Sequence, residues 1–225
     1  MRTQHIPPKI LLQYKNNQLK ILSQLLTKSS KRLTSNRIHQ LRVTIRRLSV
    51  VLTSRKLQKL AKVLGKDRDL DVAIKNAKIY HMGTRKLKQA KCLARKDSEK
   101  AVRAFAFKGL ERSSRSKLVV IYKRMMRKNL VEFEKYQSIN LGHKKLHKLR
   151  ILMKEIRYGL EAIGKPNPKL KKMQDLLGHI HDLEVLEKLK FRKKRIQKDK
   201  EATVIKVKRA YLGVDQLIKN SLAEI

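Results

Sequence analysis

Apolar residues recur along this chain at spacings of three and four, and strand-like alternation is hard to find anywhere. The pattern predicts an all-α protein. A first helix is expected from about Lys9 to Lys28, opened by Pro7-Pro8, because proline fits the first helical turn. Ser35 or Asn36 can cap a second helix that ends near Thr53. A third, bent at Gly65, covers about Leu57 to Ile79, and Gly83-Thr84 separates it from a long basic helix reaching about Lys108. After a break at Ser113 to Ser116, helices are expected at about 117–136, 142–163, 169–178, 181–197 and 199–219. Asn140 can cap the second of these, and Gly164-Lys165-Pro166-Asn167-Pro168 reads as a loop.

The pattern is also written twice. A shift of 108 carries Lys9, Tyr14, Lys15, Lys20 and Leu22 onto Lys117, Tyr122, Lys123, Lys128 and Leu130. The same shift carries His39, Leu41, Arg42 and Leu52 onto His147, Leu149, Arg150 and Leu160. Further on, a shift of 113 carries Leu57, Leu64, Gly65, Asp69 and Leu70 onto Leu170, Leu177, Gly178, Asp182 and Leu183. The five extra residues are expected in a loop, where insertions are tolerated. One register held over three helices predicts two similar helical bundles, about 9–112 and 113–220 of a single 1–225 domain, related by a pseudo-two-fold axis.

Within the repeat lies a cationic stripe. At about 100° per residue, Arg42 and Arg46 sit about 60° and 20° from His39, while Leu41, Ile45, Leu48 and Leu52 fall opposite. His147, Arg150 and Lys154 share a face in the same way, with Leu149, Met153, Ile156 and Leu160 behind them. A single basic stripe often just faces water. Two copies beside one axis instead make a shared cationic groove. Arginine suits phosphate there, because its planar fork donates two parallel hydrogen bonds. The segments at 64–72 and 177–185 each place an aspartate five residues beyond the leucine that opens them, so Asp69 and Asp182 can orient a nearby arginine or histidine. Helix capping or a surface ion pair is an equally good reading of both.

Charge sharpens the picture. Of 225 residues, 58 are Lys or Arg and 18 Asp or Glu, a net charge of +40 that predicts a polyanionic partner. Hydrophobic residues make up 41%, enough for a packed core. A lone cysteine, Cys92, excludes an internal disulfide and a thiolate zinc site and reads as buried or idle. The N-terminus lacks the apolar core of a signal peptide, and no apolar run reaches membrane-spanning length, so a cytoplasmic chain with no membrane insertion is expected. His179-x-His181-Asp182 and the pair His143/His147 resemble metal fragments, but too few carboxylates or further histidines accompany them. No phosphate-cradling glycine loop occurs, and no catalytic residue or cofactor is assigned.

Taken in order, His39-x-x-Arg42-x-x-x-Arg46-Arg47, Leu64-Gly65-x-x-Arg68-Asp69-Leu70-Asp71, His147-x-x-Arg150-x-x-x-Lys154-x-x-Arg157-Tyr158 and Gln174-Asp175-x-Leu177-Gly178 resemble the CHAD family, the conserved histidine α-helical domain. The resemblance runs over about residues 9–190. It implies two four-helix bundles with internal two-fold symmetry and a non-enzymatic role, binding inorganic polyphosphate through basic residues near the axis. Carried over, the binding candidates are His39, Arg42, Arg46, Arg47, Arg68, His147, Arg150, Lys154 and Arg157. Lys62 and Lys66 join them from their place on the adjoining helix. Ser49 and Glu155 stand where the family pattern usually has further basic residues. The rival reading is a helical nucleic-acid-binding protein, since +40 attracts any phosphate backbone non-specifically. Against that, aromatic residues are 4% of the chain and tryptophan is absent, which makes poor base-stacking platforms.

Overall fold

The computed structural model describes residues 7–110, 114–136, 143–188 and 194–223. Among them are eight α-helices and no strand: α1 (Pro8–Lys31), α2 (Ser35–Ser49), α3 (Arg55–Ile79), α4 (Arg85–Arg103), α5 (Arg115–Glu134), α6 (His143–Ala162), α7 (Pro168–Lys188) and α8 (Lys194–Ala223). Helix starts follow side-chain chemistry. Pro8 opens α1, and the hydroxyls of Thr34, Ser54 and Ser114 accept from the amides of Arg37, Leu57 and Lys117. Thr34 therefore caps α2 rather than Ser35 or Asn36. Asn140 and Ser113 lie outside the described residues.

Several expected breaks are absent. Helix α3 runs straight through Gly65, and α7 continues through Gly178 to Lys188 instead of stopping there. An isolated glycine costs a helix about 1 kcal/mol, which packing on both sides of the turn outweighs. In the other direction, α4 ends at Arg103, short of Lys108, because Phe105 and Phe107 turn inward onto the first core. Cys92 is exposed on α4, not buried.

The five extra residues of the second half are not in a loop either. The links α2–α3 and α6–α7 each span five residues, 50–54 and 163–167. It is α6, with 20 residues against 15 in α2, that is longer. The added turn contains Gly159, whose carbonyl accepts from the Tyr122 hydroxyl at 3.1 Å and whose missing Cβ leaves room for the Met126 sulfur. It also contains Glu161, which bonds Arg47 Nε across the halves at 3.1 Å. Gly164, at φ 77°, ends the helix in a left-handed turn.

Helices α1 to α4 close a ring of neighbours, and α5 to α8 close another. Between the rings, α1 meets α5, α2 meets α6 and α3 meets α7. Three of the four helices of each half thus face their own repeat, an arrangement compatible with an internal two-fold axis. Leu22, Ile38, Leu41, Leu48 and Leu64 centre the first core. The second, around Tyr122, Met126, Phe133, Leu149 and Met153, also takes in Leu11, Val50 and Val51 from the first half, so the halves share one apolar seam. A third cluster joins Ala73 and Ala77 of α3 to Leu183 and Leu186 of α7, where alanine lets two backbones approach.

Ion pairs reinforce the first half. Asp67, with a side chain 1% exposed, is held by Arg95 of α4, which also donates to the Leu33 carbonyl at 2.6 Å. Asp71 bonds Lys91, Arg68 and the Ser35 hydroxyl. The repeat places Ile180 opposite Asp67, so the second half has no such buried pair at this position. Asp67→Ala should therefore cost about 3 kcal/mol by leaving the Arg95 charge without its partner, whereas Val131→Ala, at a site 59% exposed, should stay within about 0.5 kcal/mol. Chemical denaturation of the two variants checks both values.

Candidate functional site

Helices α2 and α6 each turn one stripe into a core and leave the other toward the seam. Because α2 meets α6 and α3 meets α7, the two cationic stripes face the same space. The result is a groove of about 400 Å³. From the first half, His39, Arg42, Arg46, Arg68 and Asp69 line it; from the second, Arg150, Lys154, Arg157, Lys171, His181 and Asp182 do. Val43, Val72, Ala73 and Val185 supply its apolar floor and edges.

The side chains are held to different degrees. Arg42 Nη1 donates to the Ala61 carbonyl at 3.0 Å and lies directly over Gly65, where a Cβ would come within 2.5 Å of it. Gly65 is thus a seat for a guanidinium. Arg68 pairs with Asp71 at 2.9 Å. Arg157 bonds Glu161, donates from Nε to Gln174 at 2.9 Å, and stacks over the Tyr158 ring at 4.3 Å. Arg42, Arg46, Arg150 and Lys154, by contrast, make no ion pair among the described residues. Arg150 Nε is buried with no hydrogen-bond partner there.

Electrostatics follow from that crowding. Burial, then Arg68, Arg46, Arg42 and Lys154, hold the His39 imidazolium below the usual histidine range. Lys154 is pushed down to about 7 by burial and by Arg150, Arg46 and Arg42, against a smaller opposing pull from Asp182. Arg42 is pushed down to about 10 by burial and Arg46, and Arg150 is lowered by burial. Arginine still carries its charge at neutral pH. Asp182 is raised by burial despite Arg150 beside it, and it accepts a hydrogen bond from Asn76 across the α3–α7 seam. Asp69 acts on Arg42 and Arg150 through its charge. The two aspartates therefore line the same groove as Arg42 and Arg150 and act on them through their charge.

The remaining sequence candidates lie elsewhere. Arg47 points away from the groove, to Glu161 and, at 5.8 Å, the Tyr158 ring. His147 is exposed and outside the lining, its ring 5.1 Å from that of His181. Lys62 lines a side groove between α2 and α3 that shares Arg42 and Arg46. Lys66 is exposed and lines neither. Glu155 does not reach the groove, and the Ser49 hydroxyl turns back to the Arg46 carbonyl at 2.7 Å. Sequence reasoning missed Lys171, Gln174, Asp175 and His181. Their spacing along α7 runs 171, 174, 175, 178, 181, 182, 185, one helical face, visible only once the helix is not cut at Gly178. Among the described residues no three His, Cys, Asp or Glu side chains gather as a metal site, and no helix there is long and apolar enough to cross a membrane.

The Lys154 shift carries a stability prediction. The folded chain releases this proton near pH 7, while the unfolded chain keeps it to about 10.4. The cost of the buried charge is fully present below pH 7 and is relieved as pH rises toward 10. Lys154→Met should raise the unfolding free energy by on the order of 1 kcal/mol at pH 6, with the advantage shrinking by pH 10. Denaturation curves of both proteins across that range give the difference directly.

The architecture has a solved counterpart. The crystal structure of the CHAD domain from the plant Ricinus communis is similar over 100% of this chain and 94% of that one, with a TM-score of 0.58 and 16% sequence identity, which places the fold. No curated protein matches in sequence. The model of the CHAD domain family matches residues 19–190, from α1 to the segment after α7, and takes in the groove-lining stretches of α2, α3, α6 and α7. The chain belongs to the CHAD domain family.

Proposed function

We propose that this protein binds inorganic polyphosphate, without catalysis, along the groove between α2, α3, α6 and α7. The observation that carries the reading is the convergence of Arg42, Arg46, Arg150 and Lys154 with no ion pair to a carboxylate among the described residues. A protein that merely needed solubility would leave such charges spread in water, where they cost nothing. Here they are partly buried together, and burial, reinforced by the neighbouring cations, lowers both His39 and Lys154. A polyanion relieves that repulsion, and each arginine then gains a charge-assisted bond to phosphate.

Nucleic acid is the weaker candidate for the same groove. Tyr158, the aromatic residue in the lining, is 3% exposed, with Arg157 stacked on its ring. A base therefore finds no open platform. The deciding experiment titrates long-chain polyphosphate and single-stranded RNA of matched charge at two salt concentrations. Polyphosphate should bind about tenfold tighter or better at physiological salt. Equal affinity would overturn the assignment, and steady release of orthophosphate without added nucleotide would overturn the non-enzymatic reading.

Binding should also take up protons. The ligand's negative field raises the bound-state values of His39 and Lys154 above their depressed free-state ones. Affinity should strengthen as pH falls through the bound-state values and level off below the free-state ones, with Lys154 dominating above pH 7. Calorimetry at pH 8 in buffers of different ionisation enthalpy counts the protons. The double variant His39→Gln/Lys154→Met should take up fewer; unchanged uptake removes both groups from the account.

A further inference from the structure

The two halves are equivalent in sequence at the groove but not in how they fill it. In the first half, the place over Gly65 is occupied by the protein's own Arg42 guanidinium, fixed by the Ala61 carbonyl. The equivalent pair in the second half is Arg150 and Gly178, both of which line the groove. Yet a Cβ built on Gly178 meets no atom of the described residues within 4 Å. Asp182 is the largest charge acting on Arg150, and the Arg150 Nε–H is buried without an acceptor among the described residues. The space over Gly178 is therefore open, and Arg150, which lines the same groove, keeps an Nε–H with no acceptor among the described residues.

We infer that the principal phosphoryl subsite of the groove is over Gly178 in the second half, with Arg150 as its donor and Lys154 as the adjoining charge. The inference rests on the polyphosphate reading and gives it a location. A tetrahedral phosphoryl group needs close approach to the backbone and at least one donor that can turn to it. Gly178 gives the first, since any larger side chain would stand in that space. Arg150 gives the second. An unsatisfied buried donor is already costly, so an oxygen that accepts from it recovers energy the free protein lacks. Arg42, already bonded to backbone, offers only its remaining N–H groups. The equivalent position in the first half is thus a wall, and the second half holds the phosphate.

The test uses the full chain and tripolyphosphate, a probe short enough to report one region of the groove. Gly178→Leu fills the subsite; Gly213→Leu, on an outer face of α8 where a Cβ also meets nothing within 4 Å, is the control. Gly178→Leu should bind about tenfold more weakly or worse with an unfolding temperature no lower than wild type, since leucine favours helix over glycine. The control should bind like wild type. Arg150→Ala should lose more affinity than Arg42→Ala. Should Gly178→Leu not fold, the Gly178 and Gly65 amide resonances of the wild-type chain decide the matter: Gly178 should move first on titration. Wild-type affinity in Gly178→Leu, or Gly65 moving first, overturns the subsite and leaves the groove assignment standing. A wild-type chain that fails to prefer polyphosphate over RNA overturns the groove assignment itself.

Discussion

Like charges face each other across the seam of this molecule, and the rest of the structure is arranged around holding them there. A repeat that pairs α2 with α6 necessarily brings one cationic stripe against its copy. Nothing between Arg42, Arg46, Arg150 and Lys154 attracts, so the frame must come from elsewhere. It comes from the apolar faces behind each stripe, where Leu41, Leu48, Leu149 and Met153 are buried, and from the core that takes Leu11, Val50 and Val51 into the second half. Glu161, on the added turn of α6, ties Arg47 and Arg157 together at one end of the stripe. The insertion that distinguishes the halves is thus also a strap between them.

The sequence reading recovers the all-helical class, because hydrophobic periodicity survives without coordinates. It fails where a single residue type has two physical uses. Glycine reads as a bend at 65 and a helix end at 178, whereas one lies under a guanidinium and the other opens onto the groove within a continuous helix. That reading cut α7 in two and hid Lys171, Gln174 and His181, which share its inner face. Arg47 and His147 sit in the right motifs, but a wheel cannot say which neighbour stands beside a stripe. For Arg47 that neighbour is Glu161, on the added turn of α6, where the repeat places an insertion expected in a loop.

The halves also differ in how they resist stress. The first is bound by the Asp67–Arg95 and Asp71–Lys91 pairs between α3 and α4. At the position equivalent to Asp67, the second half packs Ile180 instead. Between α7 and α8 the second half has a pair of its own, Lys200 with Glu187 at 2.7 Å.

Helix facing its own repeat has a further meaning for what can lie in the groove. A surface with two-fold character offers nearly the same contacts to a strand laid in either direction. RNA has a direction, from one sugar end to the other, and a reader of RNA must choose it. A linear chain of identical phosphoanhydride units has none, and reversed it is the same molecule. For the ligand proposed here, every encounter that aligns with the groove is a productive one, whichever end arrives first. The difference between Gly65 and Gly178, with His39 lining the groove where His147 does not, marks a near side and a far side on an otherwise undirected track.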